Sequence, residues 1–168
     1  SAASDVYKRQ VEDFGDDVLQ FYLNEKNSNK LIKLAIEQIH KIEAIELDES
    51  IFSDFEKITE NNLLLFKKFF LEEFLEVPEL ESLKEEIDEF YSIIISELKD
   101  YPKVINHYDF ESRNLMSLSD KKIGVIDFQD ALIGPLGFDL ASILKDLYIK
   151  GTDDEISNWL DFYVENSQ

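Results

Sequence analysis

The hydrophobic period changes twice along this chain, and those changes limit the fold more than any other feature. Between residues 28 and 98 apolar side chains recur at helical spacing: Leu31, Ile32, Ala35, Ile36, Ile39 and Ile42, then Leu63, Phe66, Phe69, Phe70 and Phe74, then Leu83, Ile87, Phe90, Ile94 and Leu98. From Tyr101 the pattern turns extended, with short apolar or β-branched runs at 104–106, 115–118 and 123–128, the last two joined by the turn Ser119-Asp120-Lys121-Lys122. Gly134-Pro135 reads as a break, after which helical spacing returns through Leu140, Ile143, Leu144 and Leu147 and then Ile156, Leu160 and Tyr163. The spacing predicts helices over 28–44, 56–76, 78–98, 138–149 and 153–164, with the Phe-rich run facing inward and Pro78 in a first turn. The fold class is α+β, mainly helical, with one small β-hairpin.

Residues 1–10 show neither period and resemble the read-through of a sequencing adapter, so a non-native leader is expected there. Val11-Glu12-Asp13-Phe14-Gly15-Asp16 reads as a short extended piece closed by a glycine turn, with Asp16 placed to cap a helix starting near Asp17. His40 lies beside an apolar stripe and is expected to be a helix-face residue, not a ligand.

At 168 residues the chain is long enough for one domain, or one lobe, with a real core. Its 17 Lys and Arg against 37 Asp and Glu give a formal net charge of minus 20, which repels nucleic acid and anionic membranes. Hydrophobic residues at 44% supply enough apolar surface to exclude disorder. With no cysteine, disulfides, thiolate zinc sites and a Cys nucleophile are excluded, and two histidines make a multi-histidine metal site untenable. No apolar run approaches a membrane span, and no secretory pattern opens the sequence, so a reducing cytoplasm is the expected setting. Residues 46–100 hold 17 acids against 5 lysines, a composition that suits a solvated outer face.

The stretch that carries chemistry is His107-Tyr108-Asp109-Phe110-Glu111-Ser112-Arg113-Asn114, followed by Ile126-Asp127-Phe128. It sets a carboxylate and an amide five residues apart on a loop leaving a strand, with a second carboxylate at the end of a hairpin arm. That layout suits phosphoryl transfer, in which a protein mainly positions groups and neutralises charge. Asp109 can take the proton of an attacking hydroxyl, while Asn114 and Asp127 offer the hard oxygen donors that Mg²⁺ prefers.

These residues, with Asp127-Phe128-Gln129-Asp130-Ala131, Gly134-Pro135 and Asp139-Leu140, resemble the kinase-like small-molecule phosphotransferases, which include aminoglycoside phosphotransferases and choline kinases. Within that superfamily the strings Ser-Arg-Asn-Leu-Met and Asp-Phe-Gln-Asp-Ala are most similar to bacterial anomeric sugar kinases, which phosphorylate N-acetylmuramate and N-acetylglucosamine during cell-wall recycling. The resemblance implies Asp109 as catalytic base, Asn114 and Asp127 as metal ligands, and His107 as an organiser of the loop. It implies that Arg113 orients the loop or an acceptor group, and that Asp130 contacts the acceptor or braces the loop. Asp139 is either a helix cap or a structural aspartate bonded back to the loop. Glu12, Asp13 and Phe14 are similar to the hinge that meets adenine through its backbone.

ATP as co-substrate, Mg²⁺ and an amino-sugar acceptor follow from the same resemblance, with nucleic acid and membrane excluded as partners. It also implies an N-terminal lobe bearing a phosphate-covering loop and a lysine, which the first ten residues do not match. The chain is therefore expected to comprise a hinge over 11–16 and a C-terminal lobe over 17–168, cut at both ends and inactive alone. Departures occur at Tyr108, Glu111, Gly137-Phe138 and Lys145, so the acceptor is less defined than the reaction. An aminoglycoside, choline or another small alcohol remains an alternative acceptor. A non-catalytic kinase-like or acidic helical binding module is the alternative from another class.

Overall fold

A computed structural model of the chain describes residues 12–46, 55–78, 80–119, 121–148 and 150–167. The expected leader, and Val11 of the expected hinge, lie outside the described residues. Among the described residues there are six α-helices and two small antiparallel sheets: α1 (Leu19–Tyr22), α2 (Ser28–Glu43), α3 (Phe55–Leu65), α4 (Lys84–Lys99), β1 (Lys103–Asn106), β2 (Leu115–Ser119), β3 (Lys122–Val125), β4 (Leu132–Pro135), α5 (Phe138–Leu144) and α6 (Asp153–Asn166).

The core forms where the α2 stripe meets α5 and α6. Leu31, Ile32, Ala35, Ile36 and Ile39 pack with Leu140, Ile143, Leu144, Trp159 and Tyr163, and Phe110, Leu115 and Ile123 extend the cluster under the hairpin. Polar ends of the large aromatics are satisfied across the same interface: Trp159 Nε1 donates to Asn29 Oδ1 at 3.0 Å and the Tyr163 hydroxyl donates to Glu43 Oε1 at 2.7 Å. His40 stacks on Tyr163 with ring centroids 4.6 Å apart, in keeping with a structural helix-face role. A capping box between Thr152 and Glu155 starts α6.

The β2–β3 hairpin pairs Leu115 with Val125 and Met116 with Gly124. The segment before α1 adds to its edge, through the Val18–Met116 bridge and the Ser117 N–H donated to the Asp17 carbonyl at 2.8 Å. Asp16 does not cap the first helix: α1 has Val18 at its N-cap with no side-chain bond, and it is the Asp16 carbonyl that accepts the Val18 N–H.

Gly134-Pro135 is not a break but the end of a strand. β4 pairs with β1 across Val104 and Gly134, an edge position where proline's missing N–H costs no ladder bond. The Phe-rich run also departs from expectation. Past Leu65 the helix widens to π-helical over Phe66–Phe74, and Phe66, Phe69, Phe70 and Phe74 lie exposed. Phe66, Phe70 and Phe74 stack instead on one another, with centroids 5.0 and 5.8 Å apart. With about one turn per four to five residues, a π-helix lines up side chains four apart. In α4 only Tyr91 is buried, with Leu83 and Phe90 outside. The α5 helix stops at Leu144, leaving Leu147 exposed, because Asp146 turns its carboxylate back onto the Tyr148 N–H.

Candidate active site

The loop from β1 to β2 is held from inside. His107 is 1% exposed, and its ring nitrogen Nε2 donates to the Ile126 carbonyl at 2.9 Å, since a carbonyl can only accept. This bond ties the start of the loop to the residue before Asp127. Behind it stands Asp139, also 1% exposed, which accepts the His107 N–H at 2.6 Å and the Tyr108 N–H at 3.0 Å on separate carboxylate oxygens. Of the two expectations for Asp139, the bond back to the loop is therefore the one observed, and Gly137 is the cap of α5. Burial pushes the Asp139 carboxyl up to about 6, outweighing the two N–H donors and the nearby His107. Tyr108 takes φ +76, a left-handed conformation that side chains disfavour, and is held there by its ring stacked on Phe138 and by a hydroxyl that accepts from Asn62 Nδ2.

Beyond Tyr108 the loop turns outward and closes on itself. Asn114 donates Nδ2 to the Asp109 carbonyl at 2.9 Å, Glu111 donates its N–H to the same carbonyl, and Asn114 donates its N–H to the Glu111 carbonyl. Arg113 lies between two carboxylates, with Nε 2.8 Å from Glu111 Oε2 and Nη2 3.7 Å from Asp109 Oδ2. All three charges are half-exposed, so the pairs contribute little to stability and serve mainly to orient the side chains.

Hairpin register brings the second carboxylate to this loop. Leu115 lies opposite Val125, and the Asn114 carbonyl accepts the Ile126 N–H at 3.0 Å, so Asn114 and Asp127 emerge from the same end of the β2–β3 pair. Asp127 is left-handed at φ +66 and exposed, and its carboxylate makes no capping bond to the turn that follows. Asn114, with its amide nitrogen spent on the loop, keeps Oδ1 as an oxygen that can ligate a cation. Two such oxygens suit Mg²⁺, which completes its shell with water and phosphate oxygens. Among the described residues no three His, Asp or Glu side chains converge on one point.

A cleft of about 730 Å³ opens beside Asp127, and Glu12, Asp13 and Phe14 line it together with Met116 and Ile126. The extended segment is thus on the same cavity as the proposed metal ligand. Asp13 Oδ1 accepts the Gly15 N–H at 2.8 Å, so it shapes the turn. Asp130 is exposed on the short turn after Asp127. Sequence reasoning missed Asp146, a buried carboxylate bonded to the Ser112 N–H at 2.6 Å. No local signal marks it, because it lies past the end of α5 and its partner is 34 residues away.

The chain matches the model of the phosphotransferase enzyme family over residues 9–166. It is 26% identical over 156 residues to the N-acetylmuramate/N-acetylglucosamine kinase of Pseudomonas putida, covering 93% of this chain and 46% of that protein. The enzyme of the same name from Neisseria meningitidis serogroup B is 43% identical over 67 residues, 40% of this chain and 20% of that one. The chain thus spans about half the length, or less, of the curated relatives it matches. Among solved structures it superimposes on the streptomycin-ATP ternary complex of aminoglycoside phosphotransferase APH(2'')-IIa with a TM-score of 0.62 at 21% identity, over 89% of this chain and 53% of that one. It also superimposes on an ethanolamine kinase from Plasmodium vivax with a TM-score of 0.61 at 17% identity, over 83% and 46%. The kinase-like fold is common to all.

Proposed function

Because this chain belongs to the phosphotransferase enzyme family, we propose that it forms the acceptor-side, catalytic half of an ATP-dependent kinase acting on a hydroxyl of a small molecule. The observation that carries the reading is the β2–β3 register, which brings Asn114, bonded to the Asp109 carbonyl, and Asp127 out at one end of the hairpin, with Asp127 on a cleft lined by residues 12–14. The names of its sequence relatives point to an amino sugar such as N-acetylmuramate or N-acetylglucosamine, and the resemblance of the motif strings to anomeric sugar kinases points to the anomeric hydroxyl. Peptidoglycan recycling in the cytoplasm is the setting that goes with such a substrate.

In this reading Asp109 receives the hydroxyl proton as the acceptor oxygen forms its bond to the γ-phosphorus and the bond to the ADP oxygen breaks. Asn114 and Asp127 would hold Mg²⁺, which when bound would neutralise charge on the phosphate oxygens. The backbone at Glu12, Asp13 and Phe14 meets the adenine end of the nucleotide. Arg113 orients Asp109 from one side, while His107 and Asp139 fix the backbone that carries it. Asp130 is free to face the acceptor.

Two measurements on the full-length protein test the reading. Asp109→Asn is expected to lower turnover by about a hundredfold or more, as loss of a general base does, while nucleotide affinity stays close to wild type. N-acetylmuramate and N-acetylglucosamine are expected to be phosphorylated well ahead of kanamycin or choline. Near-normal turnover in Asp109→Asn would refute the base, and preference for kanamycin would refute the acceptor class.

A further inference from the structure

We propose that Asp146 is a second positioning residue of the catalytic loop, anchoring its exit as Asp139 anchors its entry. The inference rests on the reading of Asp109 as the base. Asp146 is buried one residue past the C-cap of α5. Its Oδ2 accepts the Ser112 N–H at 2.6 Å and its Oδ1 accepts the Tyr148 N–H at 3.0 Å. Ser112 is itself fully buried and opens the short 3₁₀ turn that delivers Asn114.

Placement explains how one short helix serves both ends of the loop. Asp139 stands in the first turn of α5 and Asp146 just past its C-cap, so the two carboxylates flank the helix, one at each end. The first carboxylate takes the N–H groups of His107 and Tyr108, and the second takes that of Ser112. Asp109, Phe110 and Glu111 lie between these anchors, so the candidate base rides on a span pinned at both ends.

Chemistry also narrows the residue at 146. It must accept two backbone N–H groups at once, on separate oxygens, in a buried position. A carboxylate offers acceptors alone and makes the stronger charge-assisted bonds, whereas a carboxamide would turn an NH₂ toward one of the two donors. Loosening the Ser112 anchor lets the span carrying Asp109 drift, and a misplacement of about 1 Å can cost on the order of a hundredfold in rate.

The test compares Asp146→Asn, Asp109→Asn and the double variant in the full-length protein, using ATP and whichever of the acceptors above the wild type turns over. Asp146→Asn is expected to lower kcat about 10- to 100-fold with the KM for ATP unchanged. In the Asp109→Asn background it should cost nothing more, because it acts through the base. Asp146→Glu, which keeps both acceptors but shifts them, should fall between. A purely structural role predicts the opposite pattern, with further loss in the double variant and a raised KM. Absence of wild-type turnover, or full turnover by Asp109→Asn, would overturn the base and this inference with it. An inactive Asp109→Asn beside a normal kcat in Asp146→Asn would overturn this inference alone. If the Asp146 variants do not fold, amide exchange in the wild type still decides. Slow exchange at Ser112 is expected, and exchange as fast as in the exposed 12–15 segment would sink the proposal.

Discussion

Asp139 is the residue whose environment is most at odds with its charge. Its carboxyl is pushed up to about 6, first by burial, while the His107 and Tyr108 N–H groups and the nearby His107 pull it down. In the unfolded chain the same group releases its proton near 4. The native state therefore holds more protons between about pH 4 and 6, so this group's contribution to stability is complete below 4 and declines as the pH rises through 6. A shift of about two units corresponds to roughly 3 kcal/mol. The expected outcome is that the stability advantage of wild type over Asp139→Asn, from urea unfolding, shrinks by that order between pH 4 and pH 7. An advantage that grows with pH would contradict the assignment. The residue's role was only half legible in the sequence. An Asp two positions past Gly137 fits a helix cap as well as a loop anchor, and only the long-range contact with His107, 32 residues away, separates them.

Elements were legible where a stripe met a partner and illegible where it did not. The α2 stripe is buried as its period demands, because α5 and α6 cover it. Phenylalanines at 66, 70 and 74 have the same spacing yet are exposed, since a period records which side chains share a face and not what lies opposite. The hairpin was readable from its turn residues, but the β1–β4 pair was not, because its strands lie about 30 residues apart and no local signal joins them. Coupling between the hairpin and the extended segment was invisible for the same reason. A Cβ built on Gly124 would fall 2.6 Å from the Phe14 ring, so glycine here allows the segment to seat against β3. Gly124→Ala should displace Phe14 and deform the cleft proposed to take the nucleotide. Overpacking of this kind costs about 1–3 kcal/mol, and taken at the cleft it amounts to about a tenfold or greater loss of ATP affinity by calorimetry. Trimming the ring with Phe14→Leu in the same background should recover part of the loss, and unchanged affinity in Gly124→Ala would show that the contact does not shape the cleft.

At the scale of the whole molecule the net charge of minus 20 is the dominant field, and its placement follows the architecture. Glu60, Glu72, Glu73, Glu76, Glu85, Glu86 and Glu89 are all exposed on the α3–α4 side, as a solvated face requires, away from the α2, α5 and α6 core. The site adds Asp109, Glu111, Asp127 and Asp130 against one arginine, so the acidic field extends to this end of the hairpin. The folded chain holds these like charges closer together than the unfolded chain does, and self-repulsion lowers its stability. Added salt shortens the screening length from about 10 Å at 0.1 M to about 3 Å at 1 M. Sodium chloride should therefore raise the Tm of the 168-residue chain at pH 7, by a few degrees per kcal/mol of repulsion relieved for a domain of this size. Replacing Glu72, Glu73 and Glu76 with glutamine should raise the low-salt Tm and flatten the salt slope together. A Tm that falls with salt, or a slope indifferent to those three substitutions, would mean that local ion pairs such as Lys99 with Glu56, not the summed field, govern the electrostatics of the fold.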